Sequence, residues 1–595
     1  MPTDPDRPNR GRRTHALPLN GSPPGTVQRV SSAWLLVPLL LVAIVVLVRT
    51  VRLAALDRLR ADWGSIRRRA HDLDAIAESH ASRVRELGER ASLDDRTWAD
   101  LNMDDVFAAL DRTESTLGQH ALYHRLRSAP AAASLDAFEA LVARLGTDEP
   151  VRTRVRLALG RLQNPRGYDL WWLARPDAVD APAWYVIFPV LTVGTIALAA
   201  ATLRWPTLLP VLLGAAAFNV LIHFATFQRV GATSTPFRQL APLIATAQAL
   251  GGLEGPDIDA IVEPLRRDTP SLVRLKTISR WICGDPLMLS VNPNPLAMMA
   301  SDGFSAVYEY LNFALPIDAS GLYIGAADLR RHGAALLRVM AAIGDVDAAV
   351  SVASLRAGRA DWTRPAFLPP GSVAVVHNAR HPLLDGPVPN SIDLPAGRGV
   401  LVTGSNMSGK STFLRTIGTA AVLAQTIHTV FADEYAAPVF DVRSCIGRSD
   451  DLLAGKSYYV VEVEALLGLV ARIADAPPCL FLLDELFRGT NAVERIAAGR
   501  AVLEELVSGG GGASRHVALA ATHDGELVDL LAGTYSACHF GDAVTDDGLV
   551  FDHILKAGRA TSRNAIALLR LHGAPSRLID RALTTATDLD RQRHY

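Results

Sequence analysis

The sequence predicts a multidomain chain, α-helical and membrane-attached over its first half and α/β over its C-terminal part. Three observations carry this. At 595 residues the chain exceeds what one compact core can hold. Three apolar runs interrupt an otherwise charged, helical texture that lasts to about residue 370. From about residue 371, short apolar strands such as GVLVTG and CLFLLDE alternate with helical stretches such as KSTFLRTIGTAAVLAQ, the rhythm of a parallel sheet covered by helices. Composition agrees: 49% hydrophobic and 20% charged residues describe a folded chain with membrane segments.

Taken in order, residues 1–30 are rich in Pro, Arg, Gly and Ser without apolar periodicity and read as a disordered tail. Residues 31–50 read as a transmembrane helix. The run Ala33 to Val48 is bracketed by Arg29 and Arg49, and no small-residue cleavage site follows it. Residues 51–180 are charged and helical. Residues 183–227 read as a transmembrane hairpin, in which Ala183 to Leu203 and Trp205 to Phe227 are split by Arg204 and the Trp205-Pro206 turn. Trp184, Tyr185 and Trp205 fall at the ends, where aromatic belts sit. The rival is a pair of buried core helices, and the absence of charge inside either run weighs against it. Residues 230–370 return to helical patterns, punctuated around GDPLMLSVNPNPL, and residues 371–595 form the α/β domain with a flexible SGGGGAS connector.

A hairpin returns the chain to its starting side. ATP, the ligand read below, is cytosolic, which puts that side inside; Arg49, Arg52, Arg58, Arg60 and Arg67 to Arg69 add weak support, giving a multi-pass protein of the cell membrane with the α/β domain in the cytoplasm. A net charge of −1 excludes a global basic field that would recruit nucleic acid. RLKTISR and the arginines at 60–69 are the local candidates. Cys283, Cys445, Cys479 and Cys538 are far apart without a C-x-x-C pair, which speaks against a metal or disulfide framework and for reduced thiols.

The chemistry concentrates in three strands. G-x-x-x-x-G-K-S runs from Gly404 to Ser411, between the strand VLVTG and the helix STFLRTIGTAAVL. The loop Gly404, Ser405, Asn406, Met407, Ser408 and Gly409 is a phosphate cradle for ATP. Backbone N–H groups from Ser408 to Thr412 face one concavity, at the positive end of the helix dipole. Lys410 reaches the β- and γ-phosphates, and Ser411 offers a hydroxyl to Mg²⁺. LFLLDE is an apolar strand ending in Asp484, which holds Mg²⁺ through water, and Glu485, the general base for an attacking water. VALAATHDGEL ends a third strand in His523, placed to sense the γ-phosphate. Two acids at a strand end can merely open a loop, and a strand-end histidine is normally a solvated bystander. Together, downstream of the phosphate loop, they predict an ATP-hydrolysing P-loop site.

TGSNMSGKSTFLR, SDDLLAGKSYYVVEVEAL, LFLLDELFRGTN and ATHDGEL, in that order, resemble the ATPase domain of the DNA mismatch-repair MutS family. The likeness extends back to ARHPLLDGPVPNSIDL and forward to FDHILKAGRATSRNAIALLRLHGAPSRLIDRA. Weaker echoes lie at residues 101–130 and in GDVDAAVSVASLRAG. The resemblance implies an ABC-type ATPase that works as a homodimer with composite ATP sites. It implies that Ser457 reaches the γ-phosphate across the dimer, that Asn406 and the switch histidine His523 lie near the γ-phosphate, and that His553 stacks on adenine. The terminal helices GAPSRLIDRALTTATDL match a dimerisation element. Two departures stand out. Pro387 occupies the place of the usual adenine-facing aromatic, and nothing before residue 100 fits a mismatch-reading domain.

The reading these features favour is a membrane-anchored MutS-like ATPase whose dimer drives its helical region, acting on the membrane or on an unidentified protein partner. The alternative is a mismatch-repair-type protein that clamps duplex DNA through helical arms. A transporter fits least, since three apolar segments without an intramembrane charge make a poor translocation path.

Overall fold

A computed structural model describes residues 46, 49–50, 53–54, 56–66, 70–88, 93–128, 131–162, 167–175, 182–281, 306–308, 310–446, 458–474, 477–508, 514–545, 548–559 and 564–593. The chain divides into two compact units, residues 1–57 and 58–595. In the first, the few described residues are helical; most of the run Ala33 to Val48 lies outside the described residues. GDPLMLSVNPNPL and Ser457 also lie outside them.

The second unit begins with helices α1 (Leu73–Leu87), α2 (Asp95–Asp100), α3 (Met103–Leu110), α4 (Thr116–Arg127), α5 (Ala132–Thr147) and α6 (Glu149–Leu159). Their starts are written in the sequence. Asp94 accepts from Thr97 N at 2.7 Å and Ser115 from Gly118 N at 3.2 Å. Asp148 accepts from Val151 N at 3.0 Å, so each satisfies a first-turn donor. Next come α7 (Ile187–Arg204) and α8 (Leu209–Arg238), the predicted hairpin. Ala183–Arg204 and Pro206–Thr226 are long and apolar enough to cross a membrane, and only 11% and 6% of these spans is buried. Val190, Val193, Leu221 and Phe224 all point outward. The second helix outlasts the apolar run, continuing to Arg238, because a change from apolar to polar residues does not by itself end a helix.

Polar bonds join the hairpin helices to each other and to the chain beyond them. Asn219, fully buried, donates to Thr195 Oγ1 at 2.9 Å and to the Ala314 carbonyl at 2.7 Å, while Thr192 and Ser320 share a 3.0 Å hydrogen bond. Hydrogen bonds of this kind join helices where hydrophobic contact alone gives no preference. Ser320 belongs to α12 (Ile317–Gly358), reached after α9 (Leu240–Gly251), α10 (Pro256–Asp268) and α11 (Val273–Trp281). Its 42 residues make a rod about 63 Å long at 1.5 Å per residue. Buried Asp347 pins the rod to the start of α4, accepting from Glu114 N at 2.7 Å, Ser115 N at 2.8 Å and Ser115 Oγ at 2.6 Å.

Strands β1 (Ala366–Phe367), β2 (Ala374–Ala379), β3 (Asn390–Leu394) and β4 (Gly399–Thr403) open the α/β part. Helix α13 (Lys410–Ile427) follows, then β5 (Glu434–Ala437), β6 (Asp441–Cys445), α14 (Tyr458–Ala471), β7 (Cys479–Asp484) and α15 (Ala492–Ser508). β8 (Val517–Ala521), α16 (Gly525–Leu530), β9 (Tyr535–Thr545), β10 (Gly548–Ala557), α17 (Asn564–Leu571) and α18 (Ser576–Arg593) complete it. Among the described residues the strands form two sheets, ordered β1-β5-β2-β3 and β10-β9-β4-β8-β7-β6. In the larger sheet β9, β4, β8, β7 and β6 run parallel. β4, β6 and β8 are buried at every position, as strands covered on both faces must be.

The helical and α/β parts share one core. Ser444 Oγ and Ile446 N donate to the Asp100 carboxylate at 2.7 and 2.9 Å, and Arg415 Nε donates to the Asp100 carbonyl at 2.7 Å. Near the far end of α12, Arg356 grips Glu139 of α5 with two bonds of 2.9 and 2.6 Å. It also donates to the His428 carbonyl, just past α13, at 2.8 Å. Between these ties, mid-helix Gly418 of α13 lets α13 meet both layers. A Cβ there would come within 2.4 Å of Leu482 and 2.7 Å of Leu101. Gly418→Ala should therefore lower stability by about 1–3 kcal/mol despite alanine's better helix propensity, and a urea melt checks this.

Candidate nucleotide-binding site

Register builds the site. Across the sheet, Val402 of β4 pairs with Ala521 of β8, and Ala521 pairs with Asp484 of β7. The carboxyl ends of three parallel strands are thus level, the position where open α/β sheets bind ligands. The phosphate loop leaves one of these ends, the acid pair another and the histidine the third.

The loop folds as its glycines require. Gly404 (φ 142°) and Gly409 (φ 114°) occupy backbone regions closed to other residues, and a Cβ on Gly404 would lie 2.9 Å from Ser408 Oγ. Met407 (φ 71°) is strained and points to solvent. The helix opens at Lys410, one residue before the predicted Ser411. Lys410 is buried, and its Nζ donates to the carbonyls of Gly404 and Ser405, each at 2.9 Å. Burial pushes its pKa down to about 8, with Arg488 adding to the shift and Asp484 opposing it.

Ser411 Oγ donates to Asp484 Oδ2 at 2.5 Å. Asp484 Oδ1, Ser405 Oγ and Ser408 Oγ are buried with no hydrogen-bond partner among the described residues. Buried oxygens left unpaired beside a hydroxyl–carboxylate pair suit a hard cation and the phosphates it accompanies. The residues present fit Mg²⁺ and a nucleotide.

Glu485 lies at the turn after β7 with φ 53°, its N–H bonded to the Ala521 carbonyl at 2.9 Å. Its carboxylate contacts both His523 Nε2 and Arg488. His523 Nε2 also meets Asn406 Oδ1 at 2.9 Å. The pKa of His523 is lowered by burial and by the charges of Lys410 and Arg488, with Asp484 and Asp524 opposing. Direct contacts therefore join Ser411 to Asp484 and link Glu485, His523 and Asn406, while Lys410 is held by the loop carbonyls. Thr412 lies in the first turn of α13.

His553 sits on the loop, its Nδ1 3.0 Å from the Ser408 carbonyl and its ring stacked on Phe551 at 5.8 Å. Ser457 cannot be placed with this group, since it lies outside the described residues. Three residues escaped the sequence reading. Asn390 clamps the irregular turn of β10, donating to the His553 carbonyl at 3.0 Å and accepting from Leu555 N at 2.7 Å. Arg488 holds Glu485, and Glu462 of α14 accepts from Phe487 N at 2.7 Å. The stretch VPN carried the first signal, though its asparagine was assigned no role.

Glycine-turned loop, buried lysine, hydroxyl–carboxylate pair and level parallel strand ends define a P-loop domain of the kind that cradles nucleotide phosphates. Residues 400–590 match the family description MutS domain V, and this part of the chain is similar to MutS proteins. The DNA mismatch repair protein MutS of Natronomonas pharaonis is 35% identical over 249 residues, 40% of this chain and 28% of that protein. MutS 2 of Halobacterium salinarum is 34% identical over 271 residues, 44% of this chain and 30% of that protein. The MutS of Thermus thermophilus is 35% identical over 249 residues, 41% of this chain and 29% of that protein. The chain thus spans less than a third of the length of these curated relatives.

Proposed function

We propose that the chain is a membrane-anchored MutS-like ATPase that binds and hydrolyses Mg-ATP in a homodimer and so drives its helical region. The observation that most supports this is the Ser411–Asp484 contact at 2.5 Å, beside the buried Lys410 and within one residue of Glu485. In this reading Lys410 leaves the Gly404 and Ser405 carbonyls for the β- and γ-phosphates. Ser411 and Asp484 hold Mg²⁺, which when bound neutralises phosphate charge. Glu485 accepts the proton of the attacking water once the nucleotide displaces its contact with Arg488. His523 and Asn406 face the γ-phosphate, Ser457 comes from the partner copy, and His553 packs on adenine. The α7–α8 hairpin is the anchor, supported by its length, its outward apolar side chains and its lack of internal charge. In this reading the protein sits in the cell membrane with the ATPase in the cytoplasm.

Coupling to the helical region has a physical route. α13 begins at the phosphate loop and ends against Arg356 of α12. The other end of α12 is tied to the hairpin at Ser320. A nucleotide that binds one arrangement of these packed elements better than another shifts the population between them.

A second reading, duplex DNA bound through the helical region, is favoured by what the relatives' names say of those proteins. Three of its basic candidates are already engaged: Arg274 pairs with Asp328 at 3.0 Å, Lys276 donates to Gln248 at 2.5 Å, and Arg60 pairs with Glu149 at 2.9 Å. ATP turnover by the detergent-purified chain, with and without plain or mismatched duplex at two salt concentrations, separates the two. Turnover abolished by Lys410→Ala and indifferent to duplex is the expected result. Stimulation by duplex that grows as salt falls transfers support to the second reading. Undiminished turnover in Lys410→Ala sinks the ATPase reading.

A further inference from the structure

The turn that carries Glu485 holds two strained residues, separated by Leu486. Glu485 (φ 53°) and Phe487 (φ 57°) are both in the left-handed region, and neither is glycine. Such conformations persist only where the surroundings over-determine them. The Glu485 N–H is fixed by β8, through the Ala521 carbonyl at 2.9 Å. The Phe487 N–H is fixed from elsewhere, by Glu462 Oε1 at 2.7 Å. Glu462 is only 3% exposed and Phe487 5%, and the latter belongs to an apolar cluster with Leu466, Leu483 and Leu486.

A carboxylate at that depth is not there for packing. Removing it from water is unfavourable unless its oxygens are hydrogen-bonded, and an apolar side chain would fill the same space without that cost. What it supplies is a 2.7 Å hydrogen bond to the Phe487 backbone N–H, a direct restraint on the turn. Glu462 lies just over one turn into α14, so the restraint ties the Glu485 turn to that helix.

We propose that Glu462 is a positioning residue for the hydrolytic site: by fixing the Phe487 N–H it sets the backbone turn that aims Glu485. The inference rests on the ATPase reading above. Glu462 acts on Glu485 through the backbone between Glu485 and Phe487.

The test is a split between binding and turnover in the full-length chain. Glu462→Ala removes the acceptor, Glu462→Met removes it while keeping the volume, and Glu462→Gln retains an oxygen there. ATP affinity by calorimetry should stay near wild type in all three. The value of kcat should fall about ten- to a hundredfold in the alanine and methionine variants, the scale of a reacting group displaced by about 1 Å, with KM little changed. Glutamine should restore most of the loss. If the folded methionine variant turns over at the wild-type rate, or if glutamine is as slow as methionine, the assignment is wrong. Should alanine fail to fold, methionine and glutamine still decide. A wild-type chain without ATP turnover counts against the ATPase reading; a competent wild type matched by its variants counts against Glu462 alone.

Discussion

Glu485→Gln should bind Mg-ATP about as tightly as the wild-type chain and turn it over at least about a hundredfold more slowly, the range that general-base removal costs. The substitution keeps shape and hydrogen-bonding reach while removing the proton acceptor. Its effect should therefore fall on kcat and leave KM near its starting value. Around it the site is otherwise intact: the Glu485 N–H keeps its bond to Ala521, and Ser411–Asp484 and Lys410 lie on neighbouring elements. Single-turnover phosphate release beside equilibrium nucleotide binding reads the two quantities apart. If ATP closes a homodimer, the variant also accumulates in it, because hydrolysis no longer removes the contacts that favour closure. Light scattering with and without ATP should then show a larger dimer fraction for Glu485→Gln than for wild type. Equal kcat in variant and wild type would reassign the base.

The parts of this site that were legible in the sequence are those where chemistry needs contiguous residues. Gly404 to Ser411 must be adjacent to wrap a phosphate, and Asp484 and Glu485 must end one strand, so both could be read directly. Parallel pairing then leaves little freedom. Once β4, β8 and β7 are neighbours, Val402, Ala521 and Asp484 align and the three motifs meet. What could not be read depends on long-range packing of residues whose types are common. Asn390 lies 163 positions from His553, and nothing local marks it as the clamp of that turn. Glu462 follows a helical pattern in which a glutamate is ordinary; only burial reveals its task. The apolar hairpin was visible from length, yet the role of Asn219 was not, because one amide in an apolar run shows no partner until Thr195 and Ala314 are placed. The shared core was hidden for the same reason. Asp100 and Arg415 are 315 residues apart and look like surface charges in sequence.

Lys410 gives the nucleotide site a pH dependence with a definite sign. Buried and facing two carbonyls, its ammonium has a pKa pulled down to about 8 in the nucleotide-free protein. Bound phosphates favour the charged form, so in the complex the pKa is higher. Below pH 8 the lysine is protonated in both states and affinity is at its maximum. As pH rises above 8 the free protein loses this proton while the complex keeps it, so binding takes up a proton and affinity falls up to about tenfold per pH unit until the complex itself titrates. ATP adds little slope there, since its last phosphate ionisation, with a pKa of about 6, is nearly complete by pH 8. Stability of the free protein runs the other way. Between pH 8 and the ordinary lysine value the unfolded chain holds the extra proton, so this group's contribution to folding stability rises with pH. The stabilisation conferred by ATP in a thermal melt should accordingly shrink from pH 8 to pH 9.5 while the nucleotide-free chain gains from Lys410. Calorimetry in two buffers of different ionisation enthalpy should detect the proton uptake. Lys410→Met, which keeps the stem and removes the charge, should bind ATP weakly and with no such slope. A wild-type affinity flat across this window would mean that the lysine stays charged in its burial site, held there by Asp484.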